Sequence, residues 1–218
     1  MKYNKNWEDM SEYLVHFSSG PDKDSAYSSM MGILFNRNIK AVNPFGFAKR
    51  FAYDKESQKS VCFSEAPLHL LERISKRRGP YGIGFKKRFI SNKGGNPILY
   101  AIDGTPLHAG LEKLLKIAQE DKGELGDTFW EIAPFIDRVI SNESSRYQFD
   151  WEREWRLNKN LDFETYEVSF LIIPESHHEA AKIFFKDAEH HHTGPSYKCP
   201  FIDISWTLQK IKDTLADD

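Results

Sequence analysis

An α+β fold is predicted by the order of the elements along the chain. Strand-like stretches are interrupted early by helices, and the helical stretches then cluster in the middle, without the regular alternation of βαβ winding. The sequence contains no internal repeat. It has neither a Gly-x-Gly-x-x-Gly run after a strand nor a Gly-x-x-x-x-Gly-Lys-Ser/Thr loop, so doubly wound nucleotide-binding folds are disfavoured. The 218 residues are 40% hydrophobic and include 16 Phe, 9 Tyr and 5 Trp, which supplies a core for one domain spanning residues 1–218.

The first strand is Tyr13–Phe17, stopped by the turn cluster Ser18-Ser19-Gly20-Pro21-Asp22. A helix over about 24–37 follows, with Met30, Met31, Ile33 and Leu34 on its apolar face and Asp22 or Asp24 as cap. Residues 39–53 read as a short strand and an aromatic-rich loop. Ser60–Ser64 reads as a strand, and Ala66-Pro67 opens a helix through about Arg77, because proline near the first helical position loses no hydrogen bond. Tyr81–Phe85 is a strand whose Gly82 and Gly84 allow close approach of backbone or ligand. Pro97–Ile102 is another strand. An amphipathic helix over 107–119 carries Leu107, Leu111, Leu114 and Leu115. A second helical segment, about 127–140, is kinked or split at Pro134. Glu167–Pro174 is the strongest strand pattern in the chain. A helix near 177–186, a polar linker at His190–Ser196, an alternating strand at Phe201–Trp206 and a helix at Leu208–Leu215 complete the order.

Bulk properties exclude several classes. A formal net charge of -2 gives no global field toward nucleic acid or membrane. Cys62 and Cys199 form neither a disulfide framework nor a zinc pattern. The N-terminus lacks the apolar region of a signal peptide, and no run reaches the roughly 18 apolar residues of a membrane span, so a cytoplasmic protein is expected. His190-His191-His192 and His177-His178 lack metal-ligand spacing and read as solvated loop.

The most informative stretch is Asp150-Trp-Glu-Arg-Glu-Trp-Arg-Leu157. As a strand it places Trp151, Arg153, Trp155 and Leu157 on one face and Glu152, Glu154 and Arg156 on the other. That second face is a wall of two carboxylates and a guanidinium, suited either to a cleft holding positive charge or to internal Glu–Arg pairing. Basic residues Lys76, Arg77, Arg78, Lys86, Lys87 and Arg88 flank the Tyr81 strand as the clearest positive patch. They suit either a phosphate backbone or plain solvation.

The runs Tyr-Leu-Val-His-Phe-Ser-Ser, Val-Cys-Phe-Ser-Glu-Ala-Pro-Leu, Tyr-Gly-Ile-Gly-Phe-Lys-Lys, Asn-Pro-Ile-Leu-Tyr and Glu-Arg-Glu-Trp-Arg, in that order, resemble the AbiGi-type abortive-infection family. In layout they are also similar to DarT-like ADP-ribosyltransferases. The resemblance implies an ADP-ribosyltransferase-like split mixed or antiparallel sheet flanked by helices, and a toxin-like effector that uses NAD as substrate. His16 would then contact NAD, and Glu154 would be catalytic, its carboxylate offsetting positive charge as nicotinamide leaves. Glu152 would orient the acceptor, and Arg156 would meet the pyrophosphate or only pair with a glutamate. Tyr27, Ser64 and Tyr81 are the candidates for the remaining NAD-site position, Ser64 resembling it best by its strand placement and Tyr27 or Tyr81 supplying stacking. Arg77, Arg78, Lys86, Lys87 and Arg88 would track a nucleic-acid acceptor, with a protein acceptor as the alternative. Such a toxin implies an antitoxin or chaperone partner. Two rivals are a non-catalytic binding or antitoxin module of the same fold, and a nuclease using Glu65, Glu152 and Glu154 with a divalent metal.

Overall fold

A computed structural model describes residues 11–20, 22–65, 67–121, 123–139, 141–142, 145–146 and 152–216. The chain forms two compact units, each drawn from separate stretches. The first comprises residues 1–39, 63–92 and 162–218, and the second 40–62 and 93–161.

Along the chain, the first unit opens with β1 (Tyr13–Ser18), α1 (Lys23–Asn36) and β2 (Asn38–Ile39). The second unit takes β3 (Asn43–Pro44) and most of β4 (Lys59–Ser64). The chain returns to the first unit for α2 (Leu71–Arg78), β5 (Tyr81–Lys86) and α3 (Lys87–Asn92). Next come β6 (Asn96–Pro97), β7 (Leu99–Ile102), α4 (Pro106–Glu120) and α5 (Glu124–Ile132). The strands β8 (Ile136–Val139), β9 (Ser141–Asn142), β10 (Ser145–Arg146), β11 (Glu154–Leu157) and β12 (Leu161–Asp162) follow. The first unit then closes with β13 (Val168–Ile172), α6 (His178–His191), β14 (Phe201–Ile202) and α7 (Leu208–Ala216). Parallel and antiparallel pairs coexist, so the fold is α+β, as the element order predicts.

In the first unit β5 is central. It pairs antiparallel with β1 along its whole length and with β13 on its other edge, and β14 adds to β13 in parallel. Residues Tyr81 to Phe85 are all buried, as expected of a strand covered on both faces. The space above Gly84 is filled by the Phe170 ring, which would lie 2.4 Å from an added Cβ. The close approach expected at these glycines is thus made here by a neighbouring side chain. Helix α1 starts as the sequence predicts, with Asp22 Oδ1 accepting from the Ser25 N–H at 2.7 Å. It buries Ala26, Met30 and Leu34 at four-residue spacing.

In the second unit α4 and α5 bury Leu115, Ala118, Phe129 and Ala133 against Ala48, with Phe47 and Trp130 at the margin. Strands β7 and β8 pair in parallel from Leu99↔Ile136 to Ile102↔Val139. The single helical segment expected over 127–140 therefore ends at Ile132. Pro134 cannot donate to a helix ladder, and Ile136–Val139, with two β-branched residues, continues as a strand. Three further boundaries differ from expectation. Lys87–Asn92 forms a helix, to which the sequence reading gave no element. Helix α6 runs on to His191 and is capped by His192 in the left-handed conformation, since no breaker precedes Gly194-Pro195. The strand at Phe201 stops after Ile202, where Asp203 turns the chain by accepting from the Ser205 N–H.

Candidate functional site

The charged stretch that dominates the sequence is only partly a strand. Trp151 lies outside the described residues, and Arg153 has φ 46°, a left-handed conformation that interrupts strand alternation. Regular pairing begins at Glu154, where β11 meets β6 with Trp155 opposite Pro97 and Arg156 opposite Asn96. Glu152 precedes the break and is buried.

Arg156 does not face a cleft. Its side chain is 1% exposed and is among the largest fully buried side chains described. Nε donates to Glu154 Oε1 at 2.8 Å, Nη2 to Asp137 Oδ2 at 2.7 Å and Nη1 to the Pro134 carbonyl at 2.6 Å. The guanidinium lies 4.8 Å from the centre of the Phe45 ring, a cation–π contact. Burial alone draws the guanidinium pKa down. The charge and hydrogen bond of Glu154, with a further bond from Asp137, outweigh it and hold the group above the ordinary arginine value.

Glu154, 12% exposed, spends its carboxylate on this pair. Its N–H donates to Tyr100 Oη at 3.4 Å, and burial, followed by the Glu154 charge, pushes the Tyr100 hydroxyl pKa well up. Of the two roles open to the Glu/Arg wall, internal pairing is the one that is built. Asp137, the Pro134 carbonyl and Phe45 complete this centre, and nothing in the sequence spacing marked them, because they lie 19 to 111 positions away.

The residues expected around NAD fall in different units. Glu152, Glu154 and Arg156 belong to the second unit, and His16, Tyr27, Ser64 and Tyr81 to the first. In the first unit His16 lies in mid-β1 opposite Ile83, its ring edge-on to Phe63 at 5.9 Å. Ser64 ends β4, buried and opposite Val15. Tyr27 and Tyr81 do come together, with ring centres 5.3 Å apart. Tyr81 Oη is 3.1 Å from His177 Nδ1, and burial raises its pKa.

The basic residues divide into two groups. Arg77 and Arg78 are exposed in the last turn of α2, where cations complement the helix dipole, and precede β5. Lys86 ends β5 and Lys87 and Arg88 open α3, about 17 Å away at 3.4 Å per strand residue. Lys86 and Arg88 are exposed, whereas Lys87 is buried and its ammonium is hydrogen-bonded to Glu65. Glu65, a ligand in the nuclease alternative, is thus engaged by a lysine. No grouping of three or more His, Cys, Asp or Glu residues suited to a metal occurs among the described residues.

These features define an α+β protein in which Glu152 and Arg156 of the most charged motif are buried. A family model described as "Putative abortive phage resistance protein AbiGi, antitoxin" matches residues 45–201, well over half of the chain, and the protein belongs to this family. No curated protein and no solved structure matches it. The resemblance to an abortive-infection family is therefore established, while that to DarT-like transferases is not supported by any match. The family description also corrects the expected activity. It names an antitoxin, which overturns the reading of this chain as an NAD-dependent transferase toxin and favours the non-catalytic rival. The NAD and acceptor assignments rested on the transferase reading. His16 and Tyr27 also lie before the matched range. No helix among the described residues is long and apolar enough to cross a membrane.

Proposed function

We propose that this protein is the antitoxin of a phage-defence pair, acting by binding and neutralising a toxin protein and performing no catalysis of its own. The carrying observation is the antitoxin description of the family that spans residues 45–201. Two structural features support it. Glu154, the carboxylate that the transferase reading set against a developing positive charge, is hydrogen-bonded to Arg156. Helix α4 buries only part of its apolar arc. His108, Leu111, Leu115 and Ala118 face inward, while Leu107, Leu114 and Ile117 are 40% or more exposed along an adjoining stripe. Uncovered apolar surface of this kind suits protein association.

The test is growth of cells expressing the chain alone and together with the product of the adjacent gene. The expected result is that the chain alone is harmless, relieves arrest by the neighbour and copurifies with it. Glu154→Gln, which keeps a hydrogen-bond acceptor for Arg156, is expected to neutralise as well as the wild type. Growth arrest by the chain alone, abolished by Glu154→Gln in a folded protein, would return the reading to a toxin.

A further inference from the structure

The uncovered side of α4 carries a line of residues with a shape of its own. Leu107, Gly110, Leu114 and Ile117 follow one another at intervals of three, four and three residues, so they run along one side of the helix for about 15 Å. All four are exposed, whereas Leu111, Leu115 and Ala118 on the adjoining side are packed inward. The line is interrupted at Gly110, in the helix interior, where glycine is a poorer helix former than alanine. A Cβ at Gly110 would meet nothing within 4 Å, in contrast to Gly84, whose missing side chain makes room for Phe170. The gap at Gly110 therefore serves no contact among the described residues.

With Leu107, Leu111 and Leu114, Gly110 makes the i, i+3, i+4, i+7 set that frames one hole of knobs-into-holes packing, and the glycine leaves that hole open outward. A socket of this form, on a line parallel to the helix axis, fits a side chain carried by a second helix. Charge then separates a second copy of this chain from a different protein. Lys113 and Glu120, one heptad apart, are the charged residues nearest the line in angle around the helix. Both are exposed, and neither forms an ion pair among the described residues. A two-fold pairing of α4 with itself, centred between Gly110 and Leu114, would lay each Leu114 over the other copy's Gly110. It would also set the two copies of Lys113 side by side, a destabilising like-charge contact. A helix that presents an acidic residue to Lys113 and a basic one to Glu120 is complementary in both shape and charge.

We propose that this line is the docking seam for an amphipathic helix of the protein partner. That helix inserts a large apolar side chain into the notch at Gly110 and sets an acidic and a basic residue, one heptad apart, against Lys113 and Glu120. The identity of the partner as the toxin rests on the antitoxin reading. Docking covers Leu107, Leu114 and Ile117, the apolar side chains that α4 leaves 40% or more exposed.

The test is calorimetric titration of the purified neighbouring gene product into the full chain, with unfolding midpoints measured on the same samples. Gly110→Leu fills the notch and replaces glycine by a better helix former. It is expected to raise the midpoint yet weaken binding about tenfold or more. A merely structural role for position 110 would not drive the two readouts in opposite directions. Gly32→Leu is the control, because Gly32 is exposed within α1 and a Cβ there also meets nothing within 4 Å; it is expected to bind as the wild type does. Lys113→Glu is expected to slow association, with a loss that added salt reduces. Wild-type affinity in Gly110→Leu overturns the seam and leaves the antitoxin reading in place. A wild-type chain that neither binds nor neutralises the neighbouring product overturns the antitoxin reading, and the docking proposal with it. Sedimentation of the chain alone covers the remaining case: a dimer that Gly110→Leu dissociates would assign the line to a second copy and overturn the proposal.

Discussion

Replacing Arg156 by methionine tests whether the charge centre of the second unit is structural. The substitution removes three hydrogen bonds, two of them to carboxylates, from a side chain that is 1% exposed. The Pro134 carbonyl then loses its guanidinium donor, which costs about 1–3 kcal/mol for a buried polar group. Glu154, 12% exposed, keeps its charge without a counter-ion, whereas Asp137 at 36% can regain water. The apolar methionine recovers part of this loss, and the expected net destabilisation is about 3–5 kcal/mol, the range for breaking one side of a buried pair. At a urea slope of about 2 kcal/mol per molar, a loss of about 4 kcal/mol lowers the midpoint by about 2 M. The assay is urea unfolding followed by circular dichroism, with Arg156→Met/Glu154→Leu in parallel. Removing the stranded carboxylate is expected to restore about 1–3 kcal/mol, a non-additivity that only a direct pair produces. A midpoint shift below about 0.5 M, or a double variant no more stable than the single one, would refute the reasoning.

Two further perturbations address the first unit and its contrast with α4. Gly84→Ala is expected to destabilise by about 1–3 kcal/mol, because its Cβ would enter the Phe170 ring. Gly110→Ala meets nothing within 4 Å and is expected to stabilise α4 by up to about 1 kcal/mol; equal unfolding midpoints for the two variants would contradict the packing described here. The segment after β14 is also expected to loosen in acid. The Trp206 indole donates to Glu175, Lys210 adds an ion pair, and together they hold the Glu175 carboxyl below its ordinary value of 4.5. At Asp203 burial pushes upward, but the N–H groups of Glu175 and Ser205 outweigh it and hold the carboxyl below 3.8. Both folded pKa values are depressed, so this contribution is present above the ordinary values and is lost as pH falls through the lower folded ones. Trp206 emission is expected to stay constant from neutrality down to about 4.5 and to change only below it; a transition near neutral pH would rule the latch out.

Much of the fold was readable from local pattern. Met30 and Leu34, separated by one helical turn, foretold the inward face of α1, and Asp22 its cap. Pro134 marked a break in the helical segment expected over 127–140, because a missing N–H interrupts a ladder wherever the chain goes next. The bounds of β1 and β5 follow from runs of β-prone residues ended by turn residues or charge. Such features depend on neighbours within about one helical turn or strand pair, which a sequence states directly.

The charge centre was legible only in part. Spacing brought Glu154 and Arg156 to one face of a strand, and their bond forms. Spacing did not reveal that Arg153 would break the strand ahead of them. It also did not reveal that the Pro134 carbonyl, Asp137 and Phe45 would close over the guanidinium. In the same way Lys87 reads as one more exposed cation until Glu65 receives it, and Gly84 as a close approach of backbone or ligand until Phe170 fills it. By itself the sequence determined the secondary-structure class, the main helices and strands, and the placement of Glu154 and Arg156 on one face. Tertiary structure alone decided whether that charge faced a cleft or the interior. The free energy of a charged group depends on which dipoles, counter-charges and waters surround it, and here those surroundings come from residues distant in the chain.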